Sequence, residues 1–233
     1  MYAVLDCETT GFDVDNNEII ELSIIQTDRG FNPVRTFNSL VKPTHVNVKQ
    51  TDIHGLTDKD VSSAPTFDEI VFEVADMLEG QVLIAHNIDF DQQHLEKAFR
   101  GSRLSSYYSY TFGIGICTKT IAQRVGHHKA GLNSLADHYR LSRKGTAHTA
   151  MSDAEMTLQV AKRMYHDFPE EFEGHPFRSQ LKRKMKRKMS EQATPANLAA
   201  VIMNPHVQSL QKPRSGYAAD ALTTAIETAL SYR

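Results

Sequence analysis

Residues 4–10, VLDCETT, decide how this chain is read. In an extended strand successive side chains alternate faces, so Asp6 and Glu8 share the side of Val4 while Leu5 and Cys7 take the other. Two carboxylates side by side at the end of a hydrophobic run repel each other and must be desolvated, which costs stability unless a cation bridges them. Spacing alone decides nothing, because acids one residue apart occur six times: Asp6/Glu8, Asp13/Asp15, Asp58/Asp60, Asp89/Asp91, Asp153/Glu155 and Glu171/Glu173. The first pair is set apart by the uncharged apolar run before it and the small, hydroxylic TTG after it, which together read as a strand end and a tight turn.

A chain of 233 residues suffices for one sizeable domain with a smaller appendage. No signal-peptide pattern opens it and no apolar run approaches a membrane span, so a cytoplasmic protein without a membrane partner is expected. Cys7 and Cys117 are too few for a disulfide framework or a cysteine zinc site. The net charge of -2 hides an asymmetry: residues 1–168 hold 16 Lys and Arg against 22 Asp and Glu, a balance of -6, while residues 169–233 hold 10 against 6, a balance of +4. An acidic body is suited to metal ions and a basic annex to polyanions. The segment HDFPEEFEGHPF, where Pro and Gly interrupt a helical pattern, sets the boundary between a body of 1–168 and an extension of 169–233.

YAVLDCE, EIIELSIIQTD and VRTFNSLVK are rich in β-branched and aromatic residues and predict a β meander. A loop, KPTHVNVKQTDIHGLTDKDVSSAPT, precedes FDEIVFEVADMLEG, whose spacing is helical with Gly80 as a stop. QVLIAH reads as a buried strand, and further helices are expected at about 87–100, 117–125, 132–140 and 149–166. Strands first, then a strand bracketed by helices, predict an α/β fold with a mixed sheet flanked by helices.

Helical periodicity separates two acids in HNIDFDQQHLEKAF. Asp89 falls in line with Gln93, Glu96 and Arg100, the polar face, whereas Asp91 falls in line with Ile88, Leu95 and Ala98 and is directed inward. Asn87 is placed to cap this helix. In GTAHTAMSDAEMTLQVAKRMYHD the stripe Ala154, Leu158, Ala161 and Tyr165 marks a helix from about residue 150. Five helical residues rotate by about 140°, so His148 cannot share a helical face with Asp153 and is expected on the loop entering the helix. Asp6, Glu8, Asp91 and Asp153, with His148 and no cysteine, argue against zinc and for two hard cations, Mg2+ or Mn2+, in an in-line phosphoryl displacement.

These residues resemble the DEDD 3′–5′ exonucleases, in their DEDDh branch, the DnaQ-like group typified by the epsilon subunit of bacterial DNA polymerase III, RNase T and exonuclease X. The matching motifs are LDCETTG at 5–11, IHGLTD at 53–58, AHNIDFD at 85–91, LNSLADHYRL at 132–141 and HTAMSD at 148–153. The resemblance implies an RNase H-like, five-stranded mixed sheet and hydrolysis of nucleic acid from the 3′ end to nucleoside 5′-monophosphates. It implies that Asp6, Glu8 and Asp153 hold the metal carrying the nucleophilic water, that Asp6 and Asp91 place a second metal, and that His148 is the general base. Thr9, Thr10, His54 and Asn87 are expected to meet the terminal nucleotide.

DNA 3′ ends, single-stranded or frayed, are the leading substrate, with RNA trimming of the RNase T kind as the alternative. In the extension, FRSQLKRKMKRKM puts Leu181, Met185 and Met189 on one stripe of a basic helix that can follow phosphates. TPANLAAVIM and YAADALTTAIETAL read as two more helices. A polymerase or another replication or repair protein is a candidate partner for this extension, and a purely tethering, accessory role is the remaining alternative.

Overall fold

The computed structural model describes residues 1–102, 105, 115–143 and 148–173. The three helices expected in the extension lie outside the described residues.

Five strands form one sheet in the order β3-β2-β1-β4-β5. They are β1 (Tyr2–Thr9), β2 (Ile19–Thr27), β3 (Pro33–Leu40), β4 (Val82–Ala85) and β5 (Ile116–Cys117). The expected meander is the antiparallel half, while β4 joins β1 in parallel and β5 joins β4 in parallel. This is the mixed sheet of an RNase H-like fold. The two-residue β5 was not expected, being too short to carry a period of its own.

The expected loop between β3 and the first long helix contains two single-turn helices, α1 (Thr51–His54) and α2 (Asp58–Val61). The second is nucleated by a reciprocal cap in which the Thr57 amide donates to Asp60 Oδ2 at 2.8 Å. Glu18, at the foot of β2, fastens the front of this segment by accepting from the Thr44 and His45 amides at 3.0 and 2.8 Å. Longer helices follow: α3 (Phe67–Leu78), α4 (Ile88–Gly101), α5 (Thr118–Arg124), α6 (Leu132–His138) and α7 (Ala150–Asp167). α3 ends at Leu78, with Gly80 left-handed at φ 68° just beyond, as its missing Cβ allows.

Alternation along β1 sorts the core into two layers. Ala3, Leu5 and Cys7 face α3 and α4, against Val71, Val74, Leu95 and Phe99. Val4 faces the other way, with Ile25 and Ile84, against α5, α6 and α7. Asp6 and Glu8 therefore look toward α7, as the strand reading required. The sheet is also held at its far end, where Phe31 stacks on Tyr2 at 4.7 Å and meets Phe172 edge-on at 6.0 Å. Phe172, in a 3-10 turn (Pro169–Phe172) beyond the boundary expected at residue 168, is buried in this cluster.

Candidate active site

The site lies where β1 ends. Glu8 pairs with Glu21 and Thr9 with Ile19, so β2 inserts one extra residue, Ile20, and the ladder bulges beside Glu8. The turn that follows is built from its own hydroxyls. Thr9 Oγ1 donates to Gly11 O at 2.7 Å, and Thr10 Oγ1 donates to Asn17 Oδ1 at 3.0 Å while accepting from the Glu18 amide. A Cβ on Gly11 would stand 2.5 Å from Asn17 Oδ1, so this approach requires glycine.

α4 enters from the opposite layer. Asp89 is exposed, whereas Asp91 is 3% exposed and accepts the Cys7 amide on Oδ1 at 3.0 Å. The inward-facing acid is the one that the helical period indicated. Asn87 does not cap α4 with its side chain: it is exposed and left-handed at φ 76°, a conformation asparagine tolerates, and makes no cap hydrogen bond.

α7 closes the site from the other layer. Thr149 caps it by accepting from the Ser152 amide at 3.3 Å, which places Asp153 in the first turn and His148 just outside the helix. His148 is left-handed at φ 61°, and this turn brings its ring back over the helix start, with Nδ1 3.8 Å from Asp153 Oδ2. Carboxylate oxygens of Asp6, Glu8 and Asp153 lie within 4.8 Å of one another.

Burial raises these groups, and for Asp6 and Glu8 the neighbouring carboxylates add to it. Burial, then Asp91, Asp153, Glu8 and Glu21, hold the Asp6 carboxyl well above the usual carboxylate range. Burial, then Asp153, push Glu8 up to about 8. Burial pushes Asp91 up to about 7 even though hydrogen bonds from Cys7 pull the other way. An all-oxygen donor set that resists ionising without a counter-charge fits a divalent metal ion.

The histidines near the site differ in how their ring nitrogens are engaged. The amide of Leu56 donates to His54 Nδ1 at 3.1 Å and the other ring nitrogen faces Lys49 O at 2.9 Å, so both are committed within the loop. His86 bonds Thr118 Oγ1 at 2.9 Å, and burial lowers it to about 4, keeping it neutral. His148 has a half-exposed ring facing Asp153.

Two residues of the site were not read from the sequence. Glu21 is 7% exposed, faces Glu8 across the ladder and accepts the Ala150 amide at 3.1 Å, tying β2 to the start of α7. Its only sequence signal is a lone acid in the apolar run IIELSII. Arg143 pairs with Asp153 and donates to Asn133 Oδ1 at 2.7 Å. Nothing in LSRKG singles it out.

Residues 3–161 match the RNase_T family model, described as an exonuclease. The chain is 29% identical over 177 residues to DNA polymerase III PolC-type of Clostridium perfringens, an alignment covering 75% of this chain and 12% of that protein. It is 25% identical over 162 residues to DNA polymerase III subunit epsilon of Aquifex aeolicus, covering 68% and 77% respectively. The nuclease domain of 3′hExo, a DEDDh family member bound to rAMP, superposes with a TM-score of 0.60 at 19% identity, covering 72% of this chain and 92% of that one. The last likeness is one of fold.

Proposed function

Because the chain belongs to the RNase_T exonuclease family over residues 3–161, we propose that it hydrolyses DNA from the 3′ end, releasing nucleoside 5′-monophosphates. The observation that carries this reading is the convergence of Asp6, Glu8 and Asp153 within 4.8 Å, with His148 3.8 Å from Asp153. Asp6, Glu8 and Asp153 would hold one divalent ion and Asp6 with Asp91 a second, Mg2+ or Mn2+, supplying an activated water and charge neutralisation at the scissile phosphate.

The remaining work falls to the chain itself. His148 takes the proton of the attacking water on its imidazole, and Asp153 stabilises the imidazolium that forms. Its half-exposed ring lets bulk water carry the proton away. Thr9 and Thr10 serve the terminal nucleotide by fixing the turn it rests on, since their hydroxyls are used within that turn. The exposed Asn87, whose side chain makes no cap hydrogen bond to α4, would offer its amide to the nucleotide, and His54 would meet it through ring carbons rather than nitrogen.

DNA as substrate is supported by the polymerase III relatives. The same relatives support the reading that the chain serves a replicative polymerase, whereas a docking or phosphate-following role for residues 169–233 rests on their basic sequence alone. The test uses 5′-labelled single-stranded DNA, recessed duplex and RNA with Mg2+, Mn2+ or EDTA. Stepwise shortening of DNA that EDTA abolishes supports the reading, and preference for RNA would move it to 3′ trimming of RNA. Shortening that survives EDTA would overturn it. A chain ending near residue 173 with unchanged activity and salt slope would remove the extension from the substrate path.

A further inference from the structure

We propose that Arg143 is the resident counter-cation of the acidic cage: it fixes the orientation of Asp153 and sets how tightly the cage takes a divalent ion. The inference rests on reading Asp6, Glu8 and Asp153 as metal ligands.

Arg143 lies between α6 and α7, and its guanidinium is pinned at three points. Nη1 pairs with Asp153 Oδ1, Nη1 also donates to Ser152 Oγ at 3.0 Å, and Nη2 donates to Asn133 Oδ1 at 2.7 Å. The two neutral acceptors come from the starts of α7 and α6, so the fork is positioned independently of the acid it meets. The side chains of Arg143 and Asp153 are 16% and 13% exposed, which shields the pair from water.

Two consequences follow. With Oδ1 engaged, Asp153 presents Oδ2 toward His148, whose Nδ1 is 3.8 Å away. A freely rotating carboxylate would present either oxygen, so Arg143 acts as a positioning residue. The second consequence concerns charge. Asp6, Glu8, Asp91, Asp153 and Glu21 crowd one place, and Arg143 offsets part of their repulsion when no divalent ion is bound. Once an ion is bound, the same guanidinium repels it.

Orientation and charge are separable in the full-length chain. Arg143→Gln removes the charge, whereas Arg143→Lys keeps it and loses the fork. Mn2+ titrated calorimetrically into Arg143→Gln should bind about tenfold more tightly than into wild type. The EDTA-treated variant should melt about 5 °C or more below wild type, and saturating Mn2+ should close most of that gap. Arg143→Lys should bind Mn2+ as wild type does, while kcat falls about tenfold or more.

Circular dichroism checks that each variant folds, and if Arg143→Gln does not, the Lys variant carries the test. Mn2+ affinity unchanged in Arg143→Gln, a melting gap that Mn2+ leaves untouched, or unchanged kcat in Arg143→Lys would overturn the proposal and leave Arg143 a structural brace. If wild type takes no Mn2+, or Asp6→Asn takes it equally well, the metal-cage reading itself falls, and the proposal with it.

Discussion

Glu21 stands directly opposite Glu8 in the β1–β2 ladder, and the same carboxylate accepts the first amide of α7 at 3.1 Å. Placing two acids across from each other is unfavourable on its own. Here the arrangement locks the helix that carries Asp153 to the strand that faces Asp6 and Glu8. Glu21 is therefore a positioning residue, and its two contributions separate by substitution. Glu21→Gln keeps an acceptor for Ala150 and should retain activity within a few-fold. Glu21→Ala loses the tie and should lose about 10- to 100-fold in activity. Hydrogen exchange at the Ala150 amide provides a second readout, with faster exchange expected only in Glu21→Ala.

His148 is expected to act on the proton and not on the metal. His148→Ala should lower the single-turnover rate by about 10²- to 10⁴-fold with Mn2+ affinity unchanged. A loss of metal binding in that variant would instead make His148 a ligand or a structural element.

The raised carboxyls make stability of the metal-free chain depend on pH, with a definite sign. Glu8 is pushed up to about 8 and Asp91 to about 7, against ordinary values of 4.5 and 3.8. Between those limits the folded chain binds more protons than the unfolded one, so stability falls as pH rises. With EDTA the melting temperature should drop between about pH 5 and pH 8. Saturating Mg2+ or Mn2+ should raise it most at the alkaline end, because there no proton competes for the oxygens. A metal-free melting temperature that stays level or climbs across this window would contradict the electrostatic description.

Much of this site was legible in one sequence because two periods carry it. Alternation put Asp6 and Glu8 on the side of Val4, and a helical period chose Asp91 over Asp89. The placement of His148 followed from the arithmetic of a helix turn. What escaped depends on register and on local hydrogen bonds, which no period encodes. Glu21 meets Glu8 only through a ladder with a bulge at Ile20, and Arg143 reaches Asp153 through acceptors on two helices. The nitrogens of His54 and the hydroxyls of Thr9 and Thr10 are consumed inside their own turns, a detail set by backbone angles such as the left-handed Gln50. The caps of α2 were legible as TDKD, a threonine followed three residues later by an acid, but their context read as loop.

If the cage directs water onto a terminal phosphodiester, the oxygen of that water ends on the released phosphate. Mass spectrometry of products released from single-stranded DNA in ¹⁸O-enriched water with Mg2+ or Mn2+ tests it most directly. Nucleoside 5′-monophosphates carrying one ¹⁸O on phosphorus are expected from wild type, with release slowed about 10³-fold or more in Asp6→Ala. Internal oligonucleotides, 3′-phosphates, or an Asp6→Ala protein that releases the same labelled mononucleotides at the wild-type rate would mean that the cage does not catalyse 3′-terminal hydrolysis.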